Sequence, residues 1–340
     1  MTEFNMVIRQ VGKTSRRRFL SIVAGGAILA FGDKRAEAAS GPYRWQGIIL
    51  GAQADLTLYA EDRGMAAEAV AACLAETKRL EAIFSLYEPH SALVRLNRDG
   101  ILDTPPAELL ELLSLARLLG ELSDGRFDPT VQPLWALLAA HFADERGAAE
   151  GPSPEDLADA RALVDWRRIA LAPDRIVLAR RGMQVTLNGI AQGYISDRVG
   201  AVLKDHGFRQ ALVNMGEVFV PGPQADGSPW RIAVPSPIDR QRIVATLEIV
   251  DGAVATSAGS GMRFDLAGKF NHIIDPTRLL CADPQRSVTV AASSAVVADG
   301  LSTLGALLPD LSRDFPPLLK RFSAQAYIIQ GGGGEIVQLG

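Results

Sequence analysis

The sequence predicts an α+β fold in which antiparallel sheets pack against helices. Short stretches rich in β-formers are mostly separated by hairpin-like turns, which favours antiparallel pairing. Longer stretches with apolar residues at three- and four-residue steps are inserted between these groups of strands, as expected of helices. No Gly-x-Gly-x-x-Gly motif follows a first strand, so a doubly wound dinucleotide-binding domain is unsupported.

The composition is that of an ordinary globular chain. Hydrophobic residues make up 48% and charged residues 22% of the 340 residues. A net charge of −4 gives no electrostatic reason to expect nucleic-acid binding. Cys73 and Cys281 lack the spaced histidines of a zinc site. The sequence does not show whether these two cysteines form a disulfide bond. Cys73 lies on the apolar face of a predicted helix, which favours a buried free thiol.

The first 38 residues have the organisation of an export signal. Paired arginines within Ser15–Leu20 precede an uncharged run over Ser21–Gly32, and Ala36–Ala38 is a small-x-small cleavage pattern. The arginines followed by Phe-Leu resemble the twin-arginine signal, which exports folded proteins. We therefore expect a signal peptide over 1–38, one domain over 39–340 and a periplasmic protein. A retained N-terminal anchor is the alternative, although the apolar run is too short to span a membrane.

The N-terminal half is expected to be mainly helical after one strand region. Small residues interrupt the alternation at 50–54, so residues 44–59 are one long strand or a hairpin. Ala143–Pro154 is a polar loop, and Ser153 caps the helix that follows it. The earlier helices are predicted at Met65–Phe84, Ser91–Asn97, Pro106–Leu122 and Leu134–Phe142.

Short strands dominate from Trp166 onward. Arg175–Ala179 and Gln184–Leu187 flank a turn signal at 180–182 and are predicted to form a hairpin. A helix is expected over Asn188–His206. The other strands are predicted at Ala211–Val220, Trp230–Val234, Ile243–Ile249, Ala253–Ser257, Ser287–Ala291, Ala326–Gln330 and Glu335–Gln338, with a hairpin over Arg263–Ile274.

A predicted helix over Ser294–Leu308 carries polar side chains within an apolar pattern. Asp299 and Thr303 are four residues apart, so they face the same way one turn apart. Burying a carboxylate and a hydroxyl there is costly unless something binds them, and two hard oxygen donors suit Mg²⁺. The alternative is a solvated polar face. Ser302 lies one residue before Thr303 and within a turn of Asp299, and the pattern assigns it no role.

Segments that combine small residues with oxygen donors recur at expected element boundaries. They are Gly125–Thr130, Leu187–Tyr194, Ala255–Gly259, Asn271–Pro276 and the helix that carries Asp299. With Phe84–Tyr87, Ser91–Asn97 and Leu212–Val218, and extended to Gly125–Leu134 and Thr186–Tyr194, they resemble the motifs of the ApbE family, FAD:protein FMN transferases, in the same order over residues 44–330. No single segment is decisive, but this many in register are specific.

The resemblance implies an ApbE-like fold and a phosphoryl-transfer reaction. Enzymes of this kind break the pyrophosphate of FAD, pass FMN to a Thr or Ser hydroxyl of an acceptor flavoprotein and release AMP, with Mg²⁺ supplying charge. It also implies that Asp299, Thr303 and the carbonyl of Gly189 bind the metal. His272 would transfer a proton with the acceptor hydroxyl or only contact the flavin. The implied FAD contacts are Leu50, Tyr87, Arg126, Phe127, Asp128, Thr186, Gln192 and His272.

The chain departs from the family motifs at several positions. Thr186 replaces an Asp, Gln192 replaces a Lys, and Glu217 and Val218 stand where the family has Gly and Asp. The metal pair is retained. The expected partner is a membrane-associated respiratory or ion-pumping subunit, and the chain itself is not expected to be an integral membrane protein. The alternatives are an FAD pyrophosphatase giving FMN and AMP, or a non-catalytic flavin-binding maturation protein.

Overall fold

A computed structural model describes residues 41–49, 52–144, 147–331 and 335–340. The expected signal peptide and Leu50 lie outside the described residues. The described part is α+β, as predicted. Its centre is an eight-stranded sheet in which every neighbouring pair of strands is antiparallel.

The first seven helices follow the predicted order, with ends that shift by up to three residues, whereas the two short helices after them were not predicted. The helices are α1 (Arg63–Phe84), α2 (Ala92–Asp99), α3 (Ala107–Leu122), α4 (Gln132–Ala143), α5 (Pro154–Ala162), α6 (Ala191–Asp205), α7 (Ala295–Leu307), α8 (Leu311–Asp314) and α9 (Pro316–Arg321).

The strands are more numerous than the sequence predicts. They are β1 (Tyr43–Ile49), β2 (Ala52–Leu58), β3 (Ile101–Asp103), β4 (Ile169–Ala172), β5 (Arg175–Leu178), β6 (Ala211–Asn214), β7 (Val218–Val220), β8 (Trp230–Pro235), β9 (Ile243–Ile249), β10 (Gly252–Ala258), β11 (Ile274–Asp275), β12 (Leu280–Cys281), β13 (Arg286–Ala292), β14 (Gln325–Gln330) and β15 (Ile336–Leu339).

The large sheet has the order β1-β2-β6-β7-β10-β13-β14-β15 and is covered on both faces. Along β10, Ala253 and Ala255 belong to the main core on the helix side, whereas Val254 belongs to a second core with Trp230 and Ile232 of the β8–β9 hairpin. Successive residues of a strand point to opposite faces. Because both faces of β10 are buried, the strand reads as an uninterrupted run of small and apolar residues.

Helices α6 and α7 make an unusually close crossing at Gly193. A Cβ atom on Gly193 would overlap the carbonyl oxygen of Ala295 and lie 2.8 Å from the Cβ of Asp299. Only glycine allows the two backbones to approach this closely. The crossing brings the first turn of α6 beside Asp299 on α7.

The predicted hairpin between Arg175–Ala179 and Gln184–Leu187 is wrong. Strand β5 instead pairs with β4 and β3. The backbone of Val185 is bonded to a side chain rather than to a strand. Asn97 Nδ2 donates to its carbonyl oxygen at 2.8 Å, and its N–H donates to Asn97 Oδ1 at 2.6 Å. These long-range bonds replace the ladder that the local sequence pattern suggested.

Two strand regions are hairpins. Residues 44–59, for which a strand and a hairpin were both open, form the β1–β2 hairpin. The single strand predicted over Ala211–Val220 is wrong, because β6 and β7 pair antiparallel across residues 215–217. Gly216 has a φ of 107°, a left-handed conformation that favours glycine. This turn places Glu217 at the start of β7.

The two cysteines are free thiols, and Cys73 is buried in α1 as predicted. Burial raises the pKa of the Cys73 thiol to about 12, so it stays protonated and unreactive near neutral pH. Within the described ranges, none of the helices combines the length and the apolar character needed to cross a membrane.

Asp197 on α6 caps the start of α7. Its Oδ1 accepts the N–H of Ala295 at 2.7 Å and its Oδ2 accepts the N–H of Val296 at 2.9 Å. The N-cap residue Ser294 makes no side-chain cap bond of its own. These two bonds satisfy donors that a helix leaves free at its first turn and tie α7 to α6.

We predict that Asp197→Ala lowers the free energy of unfolding by about 1–2 kcal/mol, the usual cost of losing a cap. Urea titration followed by circular dichroism measures this. The control is Asp205→Ala, an exposed residue of the same helix. An equal loss in both variants would contradict the capping role.

Candidate active site

A cleft lies between the α6–α7 crossing and two segments, at 126–131 and 272–274. Nine of the eleven side chains and backbone positions proposed from the sequence line it. They are Arg126, Phe127, Asp128, Thr186, Gly189, Gln192, His272, Asp299 and Thr303. Of the other two, Leu50 is not described. Tyr87 does not line the cleft and is 57% exposed in the turn after α1.

The three residues proposed to bind metal are adjacent. Asp299 is only 4% exposed, and its Oδ2 accepts the N–H of Gly193 at 3.0 Å. A Cβ atom on Gly189 would lie 3.3 Å from Thr303 Oγ1, so the glycine turn rests directly on this hydroxyl. The burial of Asp299 rules out the solvated polar face that the sequence left open for it.

A chain of hydroxyl groups orients Thr303. Ser302 Oγ donates to the backbone oxygen of Asp299 at 3.0 Å, because a carbonyl oxygen can only accept. Ser257 Oγ lies 2.8 Å from Ser302 Oγ, so it donates to Ser302. Thr303 Oγ1, at 3.1 Å from Ser257, then donates its hydrogen to Ser257. The oxygen lone pairs of Thr303 are left available for a cation.

Two buried carboxyl groups, Asp299 and Glu217, line the cleft. Burial, reinforced by the charge of Asp197 and partly offset by the Gly193 N–H, raises the pKa of Asp299 to about 7. Burial and the charge of Asp299 raise the pKa of Glu217 well above its ordinary value. No ion pair among the described residues includes Asp299 or Glu217. No basic side chain therefore stabilises the charged form of either carboxyl group.

His272 presents a lone pair to the cleft. Its Nδ1 lies 3.1 Å from the backbone oxygen of Met262. A carbonyl oxygen only accepts, so Nδ1 carries the hydrogen and Nε2 is the unprotonated nitrogen. Burial lowers the pKa of His272, which keeps the ring neutral near pH 7. Nε2 is therefore suited to accept a proton.

The loop at 126–131 shapes the cleft mainly through its own hydrogen bonds. Asp128 Oδ1 accepts from the N–H and the hydroxyl of Thr130, at 2.8 and 2.6 Å, and Oδ2 accepts the N–H of Trp166 at 3.1 Å. Its carboxylate is thus occupied within the loop. Arg126 Nη1 pairs with Asp275 Oδ2 at 3.1 Å, and Arg126 is the one Lys or Arg side chain among the described residues that line the cleft.

Comparisons with known proteins identify the family of this chain. A sequence model described as the ApbE family matches residues 50–316. The chain belongs to the ApbE family. The FAD:protein FMN transferase of Haemophilus influenzae is 30% identical over 238 residues, which cover 66% of this chain and 68% of the relative. The enzyme of the same name from Salmonella typhimurium is 30% identical over 237 residues, 65% of each chain.

Solved ApbE structures share the fold. The apo flavinyl transferase ApbE of Pseudomonas stutzeri superposes with a TM-score of 0.71 at 26% identity, covering 88% of this chain and 94% of that one. The ApbE protein of Thermotoga maritima gives a TM-score of 0.74 at 26% identity, covering 88% and 97%. The predicted ApbE-like fold is confirmed.

Three residues of this site were missed by sequence reasoning. Glu217 was recognised in the sequence only as a departure from a family motif, and Ser257 only as a member of a motif. Asp197 was not considered. Asp197 did leave a signal, because it lies four residues after Gly193 on α6 and so faces the same way. The charge that Glu217 brings to Asp299 has no local sequence signature.

We predict that Asp299 makes the metal-free protein less stable as pH rises from about 4 to about 7. Its pKa is 3.8 in an unfolded chain and about 7 when folded, so in this window the folded state holds a proton that the unfolded state has released. The free energy of unfolding therefore falls with rising pH. Asp299→Asn removes this contribution, and urea titrations with a chelator at pH 5 and pH 7.5 should show a smaller fall. Parallel pH dependence in the two proteins would refute it.

Proposed function

We propose that this chain is an Mg²⁺-dependent FAD:protein FMN transferase, which moves FMN from FAD to a Thr or Ser hydroxyl of an acceptor flavoprotein and releases AMP. One observation carries the proposal. In a member of the ApbE family, a buried carboxylate without a basic partner lies one helical turn from a threonine hydroxyl that lines the same cleft.

The donor set fits Mg²⁺. Asp299 offers a carboxylate, Thr303 a hydroxyl and Gly189 a backbone carbonyl, and hard oxygen ligands are those that Mg²⁺ prefers. The bound ion would neutralise charge on the pyrophosphate oxygens of FAD. Gln192 adds a donor, because its buried Nε2 has no hydrogen-bond partner among the described residues. A phosphate oxygen is the natural acceptor for it.

The remaining groups would position the reaction and move one proton. His272 Nε2 accepts the proton of the acceptor hydroxyl, whose oxygen forms a bond to the phosphorus of the FMN half. The bond from that phosphorus to the bridging oxygen breaks, and AMP leaves with the electron pair. Arg126 at the rim supplies positive charge near the leaving phosphate. Phe127, next to Gly189, offers an apolar wall against which a flat ring can pack.

The proposal extends to location and partner. The twin-arginine-like segment within residues 1–38 supports export to the periplasm. The family resemblance supports a membrane-associated respiratory or ion-pumping flavoprotein as the acceptor. The location and the acceptor are both proposed from the sequence.

The test is to incubate residues 39–340 with FAD, Mg²⁺ and an exported flavoprotein domain that carries an acceptor threonine. We expect covalent flavin on the acceptor by in-gel fluorescence and mass spectrometry, equimolar AMP, and loss of both products with EDTA. FMN and AMP formed without flavin on the acceptor would replace the proposal with an FAD pyrophosphatase. FAD binding with no product, beside an active family enzyme on the same acceptor, would favour a non-catalytic maturation protein.

We predict that His272→Gln lowers kcat by about 10²–10⁴-fold, the usual contribution of a positioned general base. FAD affinity should change little, because the glutamine still fills the cleft wall. The control is His206→Gln, an exposed residue at the end of α6. Stopped-flow flavin fluorescence and equilibrium FAD titration separate the two effects. An unchanged kcat would remove His272 from proton transfer.

A further inference from the structure

Glu217 is held in the wall of the cleft that also carries Asp299. It is 8% exposed, follows the left-handed turn at Gly216, and lines the cleft with Thr256, Ser257 and Asp299. The φ of Gly216 turns the chain so that residue 217 enters the buried start of β7. An ionisable side chain is rarely placed this deeply without a partner.

Glu217 is held between α6 and β10. Its backbone oxygen accepts from Ser196 Oγ of α6 at 2.8 Å. It lines the cleft beside Thr256 of β10, whose backbone N–H partly offsets the rise in the pKa of Glu217 that burial causes. The next residue on β10 is Ser257, whose hydroxyl orients Thr303. Glu217 is therefore anchored to the strand that also positions a proposed metal ligand.

Nothing basic in the described protein balances the pair of carboxylates. Arg126, the one Lys or Arg that lines the described cleft, pairs with Asp275. Position 192, where the family motif has a lysine, holds a neutral glutamine that packs on Gly216. Gln192 is 6% exposed and its Nε2 has no partner among the described residues, so this wall also contains a donor that lacks an oxygen acceptor. A hydrated cation would balance the charge of the two carboxylates. Its water ligands would supply the oxygen acceptor that Gln192 Nε2 lacks.

We propose that Glu217 is a ligand of the divalent cation in this chain, together with Asp299 and Thr303, so that the site holds the cation before FAD arrives. The inference rests on the metal site of the proposed function and adds a carboxylate where the family motif has glycine. Two carboxylates match the charge of one divalent ion, whereas a single carboxylate leaves the ion dependent on substrate phosphates. In the FAD-free protein, Gln192 Nε2 would donate to a water of the ion, and an FAD phosphate oxygen would take the place of that water.

The test measures metal binding by the nucleotide-free protein. Isothermal titration with Mg²⁺, and electron paramagnetic resonance with Mn²⁺, give the Kd for the parent protein and for Glu217→Gln. We expect binding by the parent and a Kd about 10–100-fold weaker in the variant, the size of effect seen when a supporting group of a metal site is removed. The matched control is Glu248→Gln, an exposed glutamate of β9. It should bind like the parent.

A stability measurement separates ligation from misfolding. Glutamine has the size and shape of glutamate and places no ionisable carboxyl group beside Asp299. Without metal, Glu217→Gln should therefore have a Tm equal to or above that of the parent. On addition of Mg²⁺ its Tm should rise less than that of the parent, because weaker binding stabilises the folded state less.

The inference and the proposed function can fail separately. The inference is overturned by a Kd that Glu217→Gln leaves unchanged, or by a parent protein that binds no metal without FAD. In either case the flavin-transfer assay can still succeed. Metal binding that depends on Glu217, in a protein that transfers no flavin to an acceptor used by a family enzyme, upholds the inference and rejects the function.

Discussion

The carboxylate of Asp299 is buried against the backbone of Gly193, and the rest of the site depends on this contact. The helices carrying these two residues cross so closely that residue 193 must be glycine. Asp197 ties the start of α7 to α6, and Ser302 bonds to the backbone oxygen of Asp299. Packing and hydrogen bonding thus hold a charged group where hydration alone would not keep it.

The carboxyl groups around this contact explain why the site would favour a bound cation. Three carboxyl groups lie near one another, the buried Glu217 and Asp299 and the partly buried Asp197, and each has a raised pKa. Both carboxylate oxygens of Asp197 accept backbone N–H groups at the N-terminus of α7, so its role is structural. Glu217 and Asp299 line the cleft and are compensated by no basic group in the described protein. An arrangement that destabilises the empty site in this way favours a bound cation.

Local patterns in the sequence predicted the elements whose contacts are local. The spacing of Asp299 and Thr303 placed both on one face of a helix, and the glycines at 189 and 193 marked close approaches. The error at Gln184–Leu187 has the opposite origin, because Asn97, 88 residues from Val185, takes the backbone bonds that a strand would use. The importance of Glu217 and Asp197 likewise comes from partners distant in sequence, namely Asp299 and α7.

The most direct test of this account is the position of the metal. A crystal of residues 39–340 grown with Mn²⁺ and FAD, measured at a wavelength where manganese scatters anomalously, would locate it. The account predicts a peak within bonding distance of the Asp299 carboxylate and Thr303 Oγ1, with the FAD pyrophosphate alongside. A peak elsewhere, or FAD bound in the cleft with Asp299 and Thr303 free of metal, would contradict it.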